Sequence, residues 1–508
     1  MVQRATVTNR ELVLLKDAVT ASKKRNQEHE INMEKDVVEI FSTVISFIKS
    51  NRVMCYGGTA INAMLDEDDK FYDESFELPD YDFFSTKALE HTKQLANIYA
   101  RKGYVVNAKA GQHHGTYKVF VNFLPVADIT QCDPRIFKRL WQQRFIKKGI
   151  GYVPAHFLKW SMYTELSRPM GDVGRWEKVY TRLKLLEKRF PLAKCGAASN
   201  VAALYRPFAS HQYNAADLHL DLKRALAEEG VIFFGFGAFA EYAYAYKRQK
   251  RPDAVDFEVV SVDYVSCANS VKTRLTKHGY HPIYLTHNAN IDEFMPSYYE
   301  VRLGQAVLAH IYESAACYSY NVVDDKRSGI KMRVATVETL LGFYFIFLYV
   351  DDHYNSANRV ICMARALLEL QRKHLHATSG LLRRFTVECH GSQKSKKDVM
   401  HDKYHKFIEL KDHKKKDEYE RWFLNYKPTV RSRMSPTATN ESSYLRSKRR
   451  PRSLSRRSRR ERRQRPRSLS QRSRRGRRGR VQRRPRSPRS SSSKLSRSKL
   501  SRSSSSSL

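Results

Sequence analysis

Pro79-Asp80-Tyr81-Asp82-Phe83-Phe84-Ser85 is the stretch of sequence that decides the fold. In a β-strand the side chains of residues i and i+2 point the same way, so Asp80 and Asp82 project together and Tyr81 faces the opposite side. Two carboxylates on one face repel each other unless a cation lies between them. Mg²⁺ prefers carboxylate and phosphate oxygens, and two such ions can hold the attacking and leaving oxygens of a phosphoryl transfer. The strand therefore predicts a metal-dependent phosphoryl-transfer site.

A glycine turn precedes this strand. The short apolar run Val53 to Tyr56 predicts a strand, and it ends in Gly57, Gly58 and Thr59. Two glycines allow the backbone to approach a triphosphate closely, and Thr59 adds a hydroxyl at the start of a following helix. This turn is the predicted nucleotide-binding element, although an ordinary tight turn is the alternative for the glycines taken alone.

A third carboxylate follows the strand. The alternating run Tyr117 to Phe123 predicts a strand that leads to Asp128 in Val-Ala-Asp-Ile. A glycine turn, a D-x-D pair and a later single Asp occur in the chain order of a two-metal nucleotidyltransferase. The three acids Asp80, Asp82 and Asp128 are the predicted catalytic residues and metal ligands.

Helical and hairpin patterns surround these segments. Apolar residues at helical spacing predict helices over residues 35–49 and from Leu89 to Arg101. Two short strands around residues 111–115 predict a hairpin. The apolar run Leu340 to Val350 is too short to span a bilayer and predicts a buried helix. Arg175 and Lys178 share one helix face, and phosphate binding or an ordinary basic surface both stay open for them.

The positive charge of the chain is concentrated at its end. The 508 residues carry a net charge of +40, and residues 431–508 hold 29 Lys and Arg against two acids. About +27 of the charge therefore lies in the tail and about +13 in the rest of the chain. The tail has too few apolar residues to offset the entropy of ordering, so we expect it to be disordered and to favour a polyanion. A solubilising or nuclear-targeting role is the alternative.

Seven cysteines are scattered along the chain without a C-x-x-C pair. An odd count and the absence of a signal-peptide pattern predict a reducing compartment and no disulfide framework.

The same patterns occur a second time. Asp256 and His310 follow Asp80 and Asp128, respectively, at nearly the same offset along the chain. Self-similarity on this scale predicts a duplicated domain, with a chance likeness of two α/β segments as the alternative. Because the second copy has His310 where the first has its third acid, and Gly-Phe-Gly at its turn, we expect it to have lost the chemistry.

These residues resemble the catalytic subunit of poly(A) polymerases from large nucleocytoplasmic DNA viruses, a family distantly related to the poxvirus enzyme. The likeness covers about residues 30–428 and leaves the Arg/Ser tail outside. In that family an active nucleotidyltransferase domain is followed by a degenerate one, which agrees with the internal repeat. The stretches that carry the likeness are residues 56–62, 79–85, 124–128, 166–169, 175–180 and 422–428.

The resemblance implies template-independent addition of AMP from ATP to RNA 3′ ends. Asp80 and Asp82 would hold two Mg²⁺ or Mn²⁺ ions, and Asp128 would complete the ion that activates the primer 3′-hydroxyl. No residue pattern identifies the base, so the preference for adenine follows from the resemblance alone. Another RNA nucleotidyltransferase, of uridylyl or oligoadenylate type, would use the same acids. A non-catalytic RNA-binding adaptor with the Arg/Ser tail as its active part is the alternative from a different class.

The predicted fold class is α+β, with a nucleotidyltransferase mixed sheet and helices present as an active and a degenerate copy. Expected partners are the RNA 3′ end and ATP, with a second copy of the chain or a viral processing protein left open and no membrane. Expected locations are the virion and the host cytoplasm, with the nucleus open through the basic tail. The predicted domains are a catalytic domain over 1–195, a degenerate repeat over 196–385, a helical segment over 386–428 and a disordered tail over 429–508.

A chain truncated after Pro428 should keep nucleotide addition at saturating primer but bind RNA more weakly. Each tail arginine that neutralises a phosphate of a single strand contributes about −0.7 to the slope of log affinity against log salt. The measurement is primer binding at low and high salt for the full and the truncated chain, where the truncated chain should show the shallower slope. Identical slopes would assign the tail to targeting instead.

Overall fold

The structure is a computed structural model. It describes residues 13–22, 25, 35–72, 81–195, 204, 212–247, 254–326, 328–350, 356–414 and 416–429. Asp80 and the Arg/Ser tail beyond residue 429 lie outside the described residues, and so do the predictions made for them. Within the described ranges, no helix combines the length and the apolar character needed to cross a bilayer.

The first half of the fold is built on a mixed sheet of eight strands, with its helices packed against it. The strand order is β16-β3-β4-β5-β2-β1-β7-β6, where β16 (Asn425–Tyr426) comes from the C-terminal end of the fold. The predicted helix over 35–49 and the helix from Leu89 to Arg101 are both present, with small shifts at their ends. The elements of this half, in chain order, are α1 (Lys35–Ser50), β1 (Met54–Cys55), α2 (Gly57–Met64), β2 (Tyr81–Ser85), α3 (Ala88–Arg101), β3 (Val106–Ala110), β4 (Thr116–Val121), β5 (Leu124–Gln131), α4 (Pro134–Gln142), β6 (Phe145–Lys147), β7 (Ile150–Tyr152), α5 (Ala155–Leu166) and α6 (Trp176–Arg189).

The sheet of this half buries one face and leaves the other partly open. Along β4 the buried residues Tyr117, Val119 and Val121 alternate with the half-buried Lys118 and Phe120. This period of two is what a strand with one core-facing side produces. The face that carries Lys118 is therefore the face available for chemistry.

The second half repeats this architecture on another sheet of eight strands. Its order is β10-β11-β12-β9-β8-β14-β13-β15, where β15 (Cys389–His390) comes from the C-terminal segment. Six consecutive positions match the first sheet, because β10-β11-β12-β9-β8-β14 follow one another as β3-β4-β5-β2-β1-β7 do. The elements, in chain order, are α7 (Ala215–Glu228), β8 (Ile232–Phe234), α8 (Gly235–Lys247), β9 (Phe257–Ser261), α9 (Tyr264–Lys277), β10 (Ile283–Asn288), β11 (Tyr298–Leu303), β12 (Ala306–Glu313), β13 (Tyr318–Asp325), β14 (Ile330–Ala335), α10 (Val337–Phe347) and α11 (Ala357–Lys373).

The duplication predicted from the sequence is confirmed at the level of single residues. Strand β9 is as long as β2, α9 is as long as α3, and both follow their counterparts at one common offset along the chain. Strands β11 and β12 likewise match β4 and β5 in length and share one slightly larger offset. The small increase in offset means that the second copy has a longer connection between its helix and the β11–β12 pair.

Helix α10 joins the two halves. All of its residues are buried, as expected for a helix that is apolar on every side. Its Phe345 ring lies 5.7 Å from the ring of His156 and 5.9 Å from the ring of Tyr163, both on α5 of the first half. Gly342 of α10 lies directly against Thr164 of α5, since a Cβ built on the glycine would lie 3.4 Å from the Thr164 hydroxyl. The predicted buried helix is thus the central contact of the fold.

The C-terminal segment returns to both sheets. Strand β15 pairs with β13 of the second sheet, and β16 pairs with β3 at the edge of the first. Just before β15 in the chain, Arg384 lies 3.1 Å from the buried Glu338 carboxylate of α10 and donates to the hydroxyl of Tyr180 at 3.2 Å. The elements of this segment are β15 (Cys389–His390), α12 (Lys396–Leu410), α13 (Asp417–Phe423) and β16 (Asn425–Tyr426).

The expectation that the chain has no disulfide framework is wrong for four cysteines. Cys195 is bonded to Cys362, and Cys317 is bonded to Cys389, across sequence separations of 167 and 72 residues. Cysteines so far apart carry no spacing pattern, and only the fold brings them together. The other three cysteines are buried as free thiols.

Replacing Phe345 with Ala should destabilise the protein by about 3–5 kcal/mol, because it removes a fully buried aromatic ring and leaves a cavity. Val322 is 51% exposed on β13, and Val322→Ala should change the free energy of unfolding by less than about 0.5 kcal/mol. Urea unfolding of both variants measures the difference. Equal midpoints would contradict the central role of α10.

Candidate active site

The glycine turn brings the start of α2 against a carboxylate of β2. Gly57 has a φ of +71°, and a Cβ built on it would lie 2.7 Å from Oδ2 of Asp82. The backbone N–H of Tyr56 donates to the carbonyl of Asp82 at 2.9 Å. Both the left-handed conformation and the close approach require glycine at this position. Gly58 and Thr59 follow in the first turn of α2, where helix N–H groups have no intrahelical acceptor and favour an anion.

Two of the three predicted acids lie side by side. Strands β2 and β5 pair in parallel, and Asp82 is the direct partner of Asp128 in the register. Neighbouring strands lie about 4.8 Å apart, so the two side chains leave the sheet on the same face at that spacing. Asp80 lies outside the described residues. The structure therefore brings together the acids of β2 and β5, which the sequence separates by a helix and two strands.

A lysine compensates the charge of this pair. Lys118 is the direct partner of Asp128 on the neighbouring strand β4, and its ammonium forms an ion pair with Oδ2 of Asp128. The side chain of Asp128 is 15% exposed, whereas that of Lys118 is 41% exposed. A mostly buried carboxylate is costly without a cation beside it, and the lysine supplies that cation.

The second copy keeps the geometry with different chemistry. Glu258 of β9 pairs in register with His310 of β12, as Asp82 pairs with Asp128. Gly235 has a φ of +67° and again abuts a carboxylate, since a Cβ on it would collide with Oε2 of Glu258. Here, however, Glu258 is 1% exposed, and its carboxylate accepts the N–H of Phe236 at 3.0 Å, in the first turn of α8.

The two copies also differ in the residue pair on the next two strands. Where Lys118 pairs with Asp128, the second sheet pairs Glu300 with His310 at 3.4 Å. A hydrogen bond from His310, followed by one from Arg302, lowers the pKa of Glu300 to about 2 despite partial burial. An acid has thus replaced the lysine, and a histidine has replaced the acid, at matching positions.

Arg182 is a site residue that the sequence did not identify. Its guanidinium lies 4.1 Å from the Phe71 ring centroid and donates to the Tyr72 hydroxyl at 2.7 Å. A Cβ on Gly58 would lie 2.9 Å from that hydroxyl and 3.0 Å from Nη1 of Arg182. The buried Asn62 of α2 accepts the N–H groups of Phe71 and Tyr72 at 3.0 Å, which fixes this loop beside the turn. A cation therefore lies at the glycine turn.

Of the two basic residues singled out in the sequence, Arg175 directly precedes α6 and has another partner, and Lys178 lies on α6. Arg175 forms an ion pair with Glu165 at 3.2 Å, and the Tyr180 hydroxyl accepts a hydrogen bond from Arg384. Lys178 is exposed. Arg182 lies seven residues, or about two helical turns, beyond Arg175. This spacing could have identified Arg182 from the sequence as the arginine that contacts the glycine turn.

The donor set suits a hard divalent cation. Among the described residues, which do not include Asp80, no three His, Cys, Asp or Glu side chains form a group that could hold a metal ion. The two described carboxylates are of the type that Mg²⁺ and Mn²⁺ prefer, and one of them already has the Lys118 ammonium as a cationic neighbour.

The fold is similar to that of a solved viral structure. The crystal structure of the Megavirus polyadenylate synthase matches this chain with a TM-score of 0.68 and 19% sequence identity. The match covers 84% of this chain and 87% of the Megavirus chain, so it extends over both halves. The α+β fold class predicted from the sequence is confirmed.

The particular resemblance is also confirmed in sequence. Residues 42–172 match the family model described as poly(A) polymerase catalytic subunit. A protein of Acanthamoeba polyphaga mimivirus, provisionally named a poly(A) polymerase catalytic subunit, is 34% identical to this chain over 158 residues. That segment is 30% of this chain and 26% of the mimivirus protein. A protein of African swine fever virus with the same provisional name is 29% identical over 171 residues, 31% of this chain and 35% of that protein. The matched segment thus spans about a quarter to a third of these relatives.

Gly57→Ala should destabilise the protein more than Gly103→Ala. Both glycines have a positive φ, so both changes carry a conformational cost of about 1–2 kcal/mol. A Cβ at residue 103 meets no heavy atom within 4 Å, whereas one at residue 57 collides with Asp82. We expect the collision to add about 1–3 kcal/mol, measured by urea unfolding. Equal losses would mean that the turn can move away from the carboxylate.

Proposed function

We propose that this chain is a template-independent nucleotidyltransferase that adds AMP from ATP to the 3′ ends of RNA. The observation that carries the proposal is the register of Asp82 with Asp128 beside the Gly57 turn. The sequence match of residues 42–172 to poly(A) polymerase catalytic subunits supports adenylate as the transferred group.

Each element of the site has a proposed role in this reaction. Asp80, Asp82 and Asp128 would hold two divalent ions, Mg²⁺ or Mn²⁺. Such ions, when bound, lower the pKa of the attacking hydroxyl and neutralise charge on the phosphates. Asp82 and Asp128 present their carboxylates on one face, where they orient the primer 3′-hydroxyl towards the α-phosphate. The bond from the 3′-oxygen to the α-phosphorus forms, the bond to the β-phosphate oxygen breaks, and pyrophosphate leaves.

The nucleotide would lie against the glycine turn. Gly57, Gly58 and Thr59 form the first turn of α2, where the backbone N–H groups and the positive end of the helix dipole favour the phosphates of ATP. Arg182, held by Tyr72 at 2.7 Å, adds a positive charge next to Gly58. Because these groups are fixed before the substrate arrives, they can stabilise charge without reorganising.

Two further parts of the proposal concern organisation and location. We propose a catalytic domain over residues 1–195, a degenerate copy over 196–385, a C-terminal segment over 386–428 and a separate tail from 429. The exposed fraction of Glu258, 1%, supports a structural role for the second copy. We propose the virion and the host cytoplasm as the places where the chain acts in mRNA polyadenylation, with the tail as a nuclear-targeting candidate.

Asp82→Asn should keep the fold, since the change is nearly isosteric, but lower the rate of AMP addition by about 100-fold or more. Primer extension with each of the four ribonucleotides and Mg²⁺ or Mn²⁺ measures both the rate and the choice of base. Preferential use of UTP would indicate a uridylyltransferase, and no extension with any nucleotide would favour the adaptor.

Glu258→Gln is the matched control in the second copy. It replaces an acid at the equivalent register position and retains an oxygen that can accept the N–H of Phe236. We expect a rate within a few-fold of the unmodified protein. A loss as large as that of Asp82→Asn would assign catalysis to the second copy as well.

A further inference from the structure

A single row of paired residues crosses the open face of the first sheet. Asp82 pairs with Asp128, Asp128 with Lys118, Lys118 with Lys109, and Lys109 with Asn425. The row runs over five adjacent strands, from β2 to the edge strand β16. Two acids are therefore followed by two lysines, all on the same face.

The lysine end of the row is accessible. Lys109 is exposed, and the Lys118 side chain is 41% exposed. The ammonium of Lys109 lies 5.9 Å from the ring centroid of Phe120, a half-buried aromatic residue on the same face of β4. Exposed cations beside an aromatic ring can bind both the phosphates and the bases of a single strand.

The pairing of Lys109 with Lys118 is not required by the fold. Like charges directly opposite each other on neighbouring strands are destabilising, and Lys109 faces Lys118 in this way. The second sheet has the same row in the same register, and there the corresponding residues are Glu300 and Thr286. Lys118 is the counter-ion of Asp128, but the copy folds with the hydroxyl of Thr286 in the place of Lys109. A second lysine directly opposite Lys118 therefore calls for an explanation other than stability.

We propose that Lys118 and Lys109 bind the last two phosphates of the RNA primer and thereby direct its 3′ end to Asp128. This inference rests on the proposed function, and it adds the position and polarity of the primer. The 3′-terminal nucleotide lies at the acids, and the strand runs from there towards β16. Phe120 offers a stacking surface for a base in this stretch.

The spacing of the row suits an extended strand. Lys118 is one strand spacing from Asp128, and Lys109 is two spacings away, about 10 Å. The last linkage of the primer therefore falls to Lys118 and the next-to-last to Lys109. A polynucleotide has evenly spaced negative charges that match the two lysines in sequence, whereas a free anion or a single acidic side chain has one charge and would not occupy both in this order.

The test pairs Lys109→Gln with a primer that lacks one charge. A short 5′-fluorescent RNA carries a neutral methylphosphonate at its next-to-last linkage, and its affinity for the full-length protein is measured by anisotropy without ATP. Lys109→Gln alone and the methylphosphonate alone should each weaken binding by about tenfold. Their combination should cost no more than either change, because both remove the same contact.

Two controls make the test specific to the row. Lys331→Gln removes an exposed lysine from β14 of the second sheet, and it should leave the affinity unchanged and the methylphosphonate effect intact. A methylphosphonate at the last linkage should instead be coupled to Lys118→Gln. The basic tail is present in every protein compared, so its contribution cancels in the ratios.

Additive losses, or an unchanged affinity of Lys109→Gln, would overturn the inference. The proposed function is read separately, from AMP addition by the unmodified protein to the unmodified primer. If that protein extends RNA while the coupling is absent, only the primer path is wrong. If it extends no RNA, the proposed function fails whatever the coupling shows.

Discussion

The parallel pairing of β2 with β5 imposes an electrostatic cost that the surrounding residues must offset. It sets the carboxylates of Asp82 and Asp128 one strand spacing apart on the same face, and like charges at that distance repel. Lys118 offsets part of this repulsion from β4, and the helix that begins at Gly57 presents its positive end beside Asp82. The glycine turn, the hairpin and the parallel crossover are each needed to create this arrangement.

The second copy shows how the same backbone accommodates a site without that repulsion. Glu258, its acid at the position of Asp82, accepts a helix N–H, and His310 pairs with Glu300 from the next strand. The copy thus retains the glycine and the strand register, which the fold needs, while the charges differ. Retention of Gly235 beside a carboxylate is therefore a property of the architecture and not a sign of activity.

The sequence predicted what depends on local pattern. The strand that holds Asp82, the helix at the glycine turn and the offsets between the copies all follow from short periodic segments, and the structure contains them. Arg182 was missed because it reaches Gly58 from a helix more than a hundred residues away, and a single arginine in a basic helix is not distinctive. The two disulfides and the pairing of β16 with β3 were missed for the same reason, since they join segments that only the complete fold brings together.

The late pairing of β16 has a consequence for synthesis of the chain. Strand β3 gains its outer neighbour from residues 425 and 426, more than three hundred residues downstream. At about 5–20 residues per second, that edge stays open on the order of 15 to 60 s after β3 has been made. Open edges invite pairing with other chains, and a lysine on the edge is a common protection against it. Lys109 lies on this strand, so the nascent first sheet carries its own safeguard against aggregation until the C-terminal segment arrives.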